Sequence, residues 1–144
     1  MKIYLLVIGR NLHKQKEQDF RNAEAEYLKR LKAFCDFKVT ECKDEKSLIN
    51  AIPKDAMVVG FDERGANVSS KEFAQETLRR AQEQAKQLVF AIGGPDGHSD
   101  ELRSSFDQTL AFGKMTVPHR LARVLAIEQV YRAFTILSGH PYHR

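Results

Sequence analysis

Long apolar runs are absent from this sequence. The longest extends from Ile3 to Ile8, and the polar residues Arg10 and Asn11 follow closely. A helix that crosses a bilayer needs roughly 20 predominantly apolar residues. We therefore expect no membrane span, no signal peptide and a cytoplasmic location without membrane association.

Cysteine is scarce as well. Cys35 and Cys42 lie seven positions apart, which is neither a C-x-x-C motif nor a paired metal-ligand spacing, so we expect reduced thiols. His140 and His143 have H-x-x-H spacing, but Pro141 between them prevents a regular helix and no third ligand is evident. The sequence thus predicts neither a disulfide framework nor a metal site.

The composition is that of a folded globular protein. Of the 144 residues, 42% are hydrophobic and 29% are charged, and no repeat or low-complexity tract interrupts the chain. A length near 150 residues is typical of one domain. We expect a single domain over residues 1–144.

Positive charge is concentrated at the C-terminal end. Residues 1–113 contain 18 Lys or Arg and 18 Asp or Glu, whereas residues 114–144 contain five Lys or Arg and one Glu. The whole net charge of +4 therefore belongs to the last 31 residues. Such a cluster favours an anionic partner, RNA in particular. The alternative is a helix with a solvated basic face, and charge alone does not distinguish the two.

Apolar runs alternate with segments of helical period, which indicates an α/β fold with a mostly parallel sheet. Predicted strands cover Lys2–Gly9, Asp36–Cys42, Ala56–Phe61, Gln87–Ile92 and the region near Gln108–Phe112. Predicted helices cover Lys14–Phe34, Asp44–Ile52, Ser69–Ala85, Ser99–Phe106 and His119–Leu137.

The last predicted helix is apolar over much more than one stripe, from Leu121 through Val130 to Leu137. A surface helix of a small monomer does not bury so many apolar residues. We expect this helix to lie at a subunit interface. The alternative is a helix enclosed within one domain.

Two motifs follow predicted strands, where open α/β sheets bind ligands. The loop Gly93–Gly97 lets backbone approach a ligand, although a tight turn that requires positive φ is an alternative explanation. It is neither a dinucleotide fingerprint nor a P-loop. The second motif, Asp62–Gly65, has two acids and an arginine that suit ribose hydroxyls or proton transfer, or else form a charged turn.

Four segments together resemble one family. They are Phe61–Gly65 with Ser69–Ala74, Phe90–Gly97, Lys114–His119, and Arg123–Ala133 continuing to His140-Pro141-Tyr142-His143-Arg144. The chain resembles the ribosomal RNA large subunit methyltransferase H family, a minimal member of the SPOUT class. The resemblance covers almost the whole chain and is weak only from Asp36 to Asp55.

The resemblance implies a SPOUT fold with a C-terminal trefoil knot. It also implies a homodimer that transfers a methyl group from S-adenosylmethionine to N3 of a pseudouridine in 23S rRNA of the assembled ribosome. By position, it places the cofactor site on Phe61, Gly93, Phe112, Gly113, Lys114, Met115, Thr116 and Val117.

Substrate positioning in this reading is assigned to Arg123, Tyr142, His143 and Arg144. The acceptor of the imide proton is left open among His119, His143 and water. Two other functions are considered: a SPOUT methyltransferase with another RNA target, and a non-catalytic protein that binds RNA or the ribosome.

Overall fold

Five parallel strands form the centre of the structure, a computed structural model that describes residues 1–9 and 17–144. The strands are β1 (Lys2–Ile8), β2 (Asp36–Cys42), β3 (Met57–Asn67), β4 (Leu88–Ile92) and β5 (Gln108–Ala111). Their order in the sheet is β2-β1-β4-β3-β5, and every neighbouring pair is parallel. The predicted parallel α/β architecture is confirmed, whereas the trefoil knot stays a prediction.

Helices cover both faces of this sheet. They are α1 (Gln18–Leu31), α2 (Glu45–Ala51), α3 (Ser70–Phe73), a π-helical segment (Ala74–Arg79), α4 (Arg80–Glu83), α5 (Asp100–Arg103) and α6 (His119–Ser138). The first residues of the helix predicted from Lys14 lie outside the described residues. Among the described helices, none has the length and apolar character that a membrane crossing requires.

The alternation of strand side chains divides the core in two. On one face, Leu5 and Phe90 pack with α1, α6 and the segments α3 to α4. On the other, Leu6 and Val89 pack with the shorter helices α2 and α5. Strands buried on both sides need continuous apolar sequence, which explains why β1 and β4 have so few polar residues.

The π-helical segment interrupts a helix that the sequence predicts as regular from Ser69 to Ala85. The amide Nε2 of Gln108 donates to the Glu76 carbonyl at 3.0 Å, and its Oε1 accepts from the Thr77 hydroxyl at 2.6 Å. A side chain from β5 thus hydrogen-bonds within the widened turn, as is common where helical register changes.

Helix α6 buries more of its apolar surface within the chain than the sequence suggested. It packs against α1 and the π-helical segment, and Ile127, Val130 and Phe134 are almost fully buried. The alternative of a helix enclosed within one domain therefore describes these buried positions, and the subunit interface stays a prediction. Leu121, 39% exposed, remains at the surface near its start.

Strand β3 contains a bulge where the sequence predicts the strand to end. Phe61 and Ala66 both stand opposite Leu110 of β5, so Asp62–Gly65 are displaced from the ladder. A Cβ on Gly65 would lie 2.7 Å from the Leu110 backbone, so the returning strand passes too close for a side chain there. The charged motif is thereby directed away from the sheet.

Gly60 of β3 provides a test of how closely the sheet packs against the ring of Phe106. A Cβ at this position would lie 2.0 Å from Cε2 of Phe106. We expect Gly60→Ala to lower the free energy of unfolding by about 1–3 kcal/mol, the usual range for an overpacked core. Denaturant unfolding of Gly60→Ala in the wild-type and Phe106→Ala backgrounds measures this. The penalty should be much smaller when the ring is absent, and an equal penalty in both backgrounds would contradict the explanation.

Candidate active site

A cavity of about 570 Å³ lies at the carboxyl ends of β3 and β4, where parallel sheets bind ligands. Its walls are the glycine loop Gly93–Gly97, the β3 bulge and the segment that connects β5 to α6. Seven of the eight residues assigned by resemblance to the cofactor site line it: Phe61, Gly93, Phe112, Gly113, Met115, Thr116 and Val117. Lys114 is not among the lining residues.

Aromatic rings form one side of the cavity. Phe61 stacks on Phe112 with ring centroids 4.4 Å apart and on Phe90 with centroids 5.6 Å apart. Only Phe90 of the three is fully buried, so the other two rings present partly open surfaces. Such surfaces suit contact with a flat, apolar group.

The glycine loop combines the two roles considered from the sequence. Gly97 has φ of 74°, and its N–H donates to the Gly94 carbonyl at 2.9 Å, which makes a tight turn. A Cβ on Gly93 would lie 2.9 Å from the Gly97 carbonyl carbon and oxygen. The absence of a side chain at Gly93 therefore serves close packing of the turn and leaves backbone at the cavity wall.

His98, which the sequence analysis did not single out, closes this loop onto β3. Its Nε2 lies 2.9 Å from the Phe61 carbonyl oxygen, and its ring packs edge-on against Phe106. The residue is 5% exposed and lines the cavity. Its position directly after the glycine loop was the available signal.

The bulge side chains bond to two walls of the cavity. Arg103 of α5 donates to Asp62 Oδ2 from Nη2 at 2.9 Å and from Nε at 3.1 Å. Thr116 donates from Oγ1 to Glu63 at 2.8 Å. Asp62 is thus engaged within the protein, whereas Glu63 connects the bulge to the segment that carries most of the expected cofactor residues.

His119, the first residue of α6, also lines the cavity. Burial lowers the pKa of its imidazole below the ordinary 6.5, and the charge of Arg123 adds to this effect. Its Nε2 is buried and has no hydrogen-bond partner among the residues that the structure describes. Burial therefore favours the neutral form of the ring.

Arg123 lies in a different environment from the one expected. It is 4% exposed, and its guanidinium contacts Glu24 of α1 at 3.0 Å and Glu41 of β2 at 3.1 Å. Burial raises the pKa of Glu24, and Arg123 opposes this rise. In this structure Arg123 anchors α6 to α1 and β2, and its expected contact with a target nucleotide stays a prediction.

The C-terminal tail, Gly139–Arg144, folds back on α6. The Tyr142 hydroxyl donates to Glu128 at 3.1 Å, and Arg132 donates to Nδ1 of His143 at 3.0 Å. Burial raises the pKa of Tyr142 to about 12. Tyr142, His143 and Arg144 do not line the cavity of their own chain, so the structure does not bring the two halves of the expected site together.

Metal-ligand groups are not assembled in the described ranges. Within residues 1–9 and 17–144, no cluster of three His, Cys, Asp or Glu side chains is arranged to hold a metal ion.

Comparisons with known proteins identify relatives over the whole chain. A family model described as a predicted SPOUT methyltransferase matches residues 1–143. A ribosomal RNA large subunit methyltransferase H from Koribacter versatilis (strain Ellin345) is 40% identical over 99% of this chain and 98% of that protein. One from Bartonella bacilliformis is 46% identical over 71% of this chain, but the match spans only 64% of that protein, less than two thirds of its length.

Solved structures support the fold. A probable methylase family protein from Haemophilus influenzae Rd KW20 aligns with a TM-score of 0.61 at 11% identity, over 99% of this chain and 70% of that one. A structure from work on the 2-OH methylation of C/U34 on tRNA aligns with a TM-score of 0.57 at 14% identity, over 93% and 91%. At these identities the likeness shows the fold alone.

His119 gives a prediction about pH. Because its folded-state pKa is below 6.5, the unfolded chain binds more protons as pH falls through 6.5, and stability decreases. We expect wild-type protein to lose more free energy of unfolding between pH 8 and pH 5.5 than His119→Gln does. Urea unfolding at several pH values measures both curves. Parallel curves would show that His119 is not the source.

Proposed function

Because this chain belongs to the SPOUT methyltransferase family and is similar over its whole length to a ribosomal RNA large subunit methyltransferase H, we propose that it methylates N3 of a pseudouridine in 23S rRNA. The methyl donor is S-adenosylmethionine and the substrate is the assembled ribosome. The observation that carries the proposal is the cavity at the strand ends, which gathers seven of the eight residues expected to hold the cofactor.

The cavity fits this methyl donor, whose type the family implies. Phe61 and Phe112 offer apolar ring surfaces to adenine, and Gly93 contributes backbone to the cavity wall. A volume of about 570 Å³ is within the range of small-molecule sites. Lys114 remains a proposed cofactor residue because it belongs to the segment between β5 and α6, although it does not line the cavity wall.

The bound sulfonium supplies an activated methyl group, so the chain has to align the reactants and take up one proton. The Glu63–Thr116 hydrogen bond holds the segment from Gly113 to Val117 against the bulge. Of the two histidines considered as proton acceptors, His119 lines the cavity and His143 does not. We assign the proton to His119 or to water beside it.

The RNA side of the proposal rests on the tail. Tyr142, His143 and Arg144 combine hydrogen-bonding groups with a cation, which suits a nucleotide and its phosphates. Since Tyr142 and His143 contact α6 and none of the three residues lines its own cavity, they act either after the tail moves or in the cavity of a second copy.

A homodimer remains part of the proposal. Met115, 85% exposed, and Leu121, 39% exposed, are apolar side chains at the cavity rim and at the start of α6. Val124 and Leu125 are also partly exposed on this helix. A second copy that covers this surface would bury it close to the cavity.

The function is tested by methyl transfer from radiolabelled S-adenosylmethionine to ribosomes that lack the modification, followed by nucleoside mass spectrometry. We expect one labelled 3-methylpseudouridine in 23S rRNA and no label in transfer RNA. Label in another RNA would favour a different SPOUT specificity, and cofactor binding without transfer to any RNA would contradict an enzymatic role on these substrates.

Removal of Tyr142–Arg144 tests the tail. We expect single-turnover methylation to fall about a hundredfold or more, because loss of substrate alignment alone has effects of this size. Affinity for S-adenosylmethionine should stay within about threefold, and sedimentation should still show a dimer. Turnover within threefold of wild type would refute the catalytic role of the tail.

A mixing experiment locates the tail's action. Truncated protein is combined with Thr116→Trp, a variant whose bulky ring obstructs the cavity but whose tail is intact. Recovery of activity in the mixture would show that a tail serves the cavity of a second copy, whereas no recovery would indicate that it serves its own.

A further inference from the structure

His98 has one ring nitrogen whose state is determined by its partner. Nε2 lies 2.9 Å from the Phe61 carbonyl oxygen. A carbonyl only accepts hydrogen bonds, so Nε2 carries the hydrogen and donates it. In the neutral ring this leaves Nδ1 as an acceptor.

Nδ1 is buried without a donor. It has no hydrogen-bond partner among the residues that the structure describes, and the whole residue is only 5% exposed. An unsatisfied buried polar group is unfavourable. The ring is held in place by Phe61 on one side and by the edge-on contact with Phe106, at 4.9 Å between centroids, on the other.

The direction of Nδ1 is given by Gly93. A Cβ built on Gly93 would lie 3.2 Å from Nδ1, so this nitrogen faces a residue that has no side chain to cover it. Both residues line the cavity. An orphaned acceptor therefore lies at the part of the cavity wall that the backbone of the glycine loop forms.

We propose that His98 is a ligand-binding residue, whose Nδ1 accepts a hydrogen bond from the nucleoside part of the methyl donor. Adenosine offers suitable donors in its exocyclic amine and its ribose hydroxyls, and either would satisfy Nδ1. This inference rests on the proposed function, since it assumes that the cavity binds S-adenosylmethionine. The inference adds that the His98 side chain selects for a ligand with a hydrogen-bond donor at this position.

Two substitutions separate the ring nitrogens. The amide of glutamine reaches the position of Nε2, so His98→Gln keeps a donor for the Phe61 carbonyl and removes the acceptor. The amide of asparagine reaches the position of Nδ1, so His98→Asn keeps an acceptor and removes the bond to Phe61. If His98 had only a structural role, the variant with the lower melting temperature would also bind the ligand more weakly.

Calorimetric titration with S-adenosylhomocysteine and thermal unfolding are measured on both variants. We expect His98→Gln to bind about tenfold more weakly at nearly unchanged melting temperature, the effect of one lost hydrogen bond. His98→Asn should bind within about threefold of wild type but melt lower. Unchanged affinity of His98→Gln, or affinity losses that follow the melting temperatures, would overturn the proposal.

A ligand in which purine replaces adenine identifies the donor. If the exocyclic amine is the donor, wild type should bind this analogue more weakly than S-adenosylhomocysteine and His98→Gln should bind both equally. If a ribose hydroxyl is the donor, His98→Gln should weaken both ligands by the same factor. Both results support a direct contact.

One measurement does not depend on the variants. In wild-type protein, the ¹⁵N resonance of His98 Nδ1 should move towards lower frequency when S-adenosylhomocysteine binds, as expected for an acceptor that gains a hydrogen bond. An unmoved resonance in ligand-saturated protein would overturn the inference alone. Failure of wild-type protein to bind either S-adenosylmethionine or S-adenosylhomocysteine would instead overturn the proposed function, and the inference with it.

Discussion

The position of α6 is determined by one buried ion-paired arginine, and the cavity depends on that position. Arg123 joins α6 to Glu24 of α1 and to Glu41 at the end of β2 while remaining 4% exposed. Separating buried charges from their partners is strongly unfavourable, so α6 is fixed in the arrangement that satisfies all three. His119 lies one turn earlier on the same helix, and the segment from Phe112 leads into it. The cavity wall and its candidate proton acceptor are thus held by the same contact.

The remaining walls are held by hydrogen bonds made at the edges of the cavity. His98 binds the Phe61 carbonyl, Arg103 binds Asp62, and Thr116 binds Glu63. Each of these contacts joins segments that are distant in sequence, so the cavity keeps its form through cross-connections between loops. Such a site suits transfer from an already activated donor, where alignment contributes more than a reactive side chain does.

The strands and most helices could be predicted because their signals are local. Apolar runs, the Ser69–Glu72 capping box and the stop at Gly139 all act within a few residues of one another. The bulge in β3 and the π-helical segment were not predictable in this way, because they depend on Leu110 and Gln108 of β5. The burial of α6 was underestimated because α1 and the π-helical segment share the same face of the sheet.

The residues of the site also differ in whether the sequence alone could predict their positions. Phe61, Gly93 and Thr116, which the resemblance assigns to the cofactor site, line one cavity, because the ends of parallel strands and the loops that follow them meet at one edge. The burial of Arg123 was not predictable, because a buried arginine and a nucleotide-binding arginine look alike in sequence. His98 was missed, because its significance lies in an unsatisfied nitrogen that only the three-dimensional packing reveals.

The ion pairs of the structure change the interpretation of the charge distribution along the chain. Three of the five basic residues in 114–144 bind acids: Arg120 pairs with Glu17, Arg123 with Glu24 and Glu41, and Arg132 with Glu128. Glu17 precedes α1, Glu24 belongs to α1, and Glu41 lies near the end of β2. Arg120 and Arg123 of α6 therefore neutralise carboxylates from the first third of the chain. Exposed cations of α1, such as Arg21 and Lys29, are thereby left with fewer acidic neighbours. The net charge of +4 is consequently spread over the molecule rather than confined to its end. Long-range attraction to RNA would then come from the protein as a whole, and the tail would contribute specific contacts rather than most of the field.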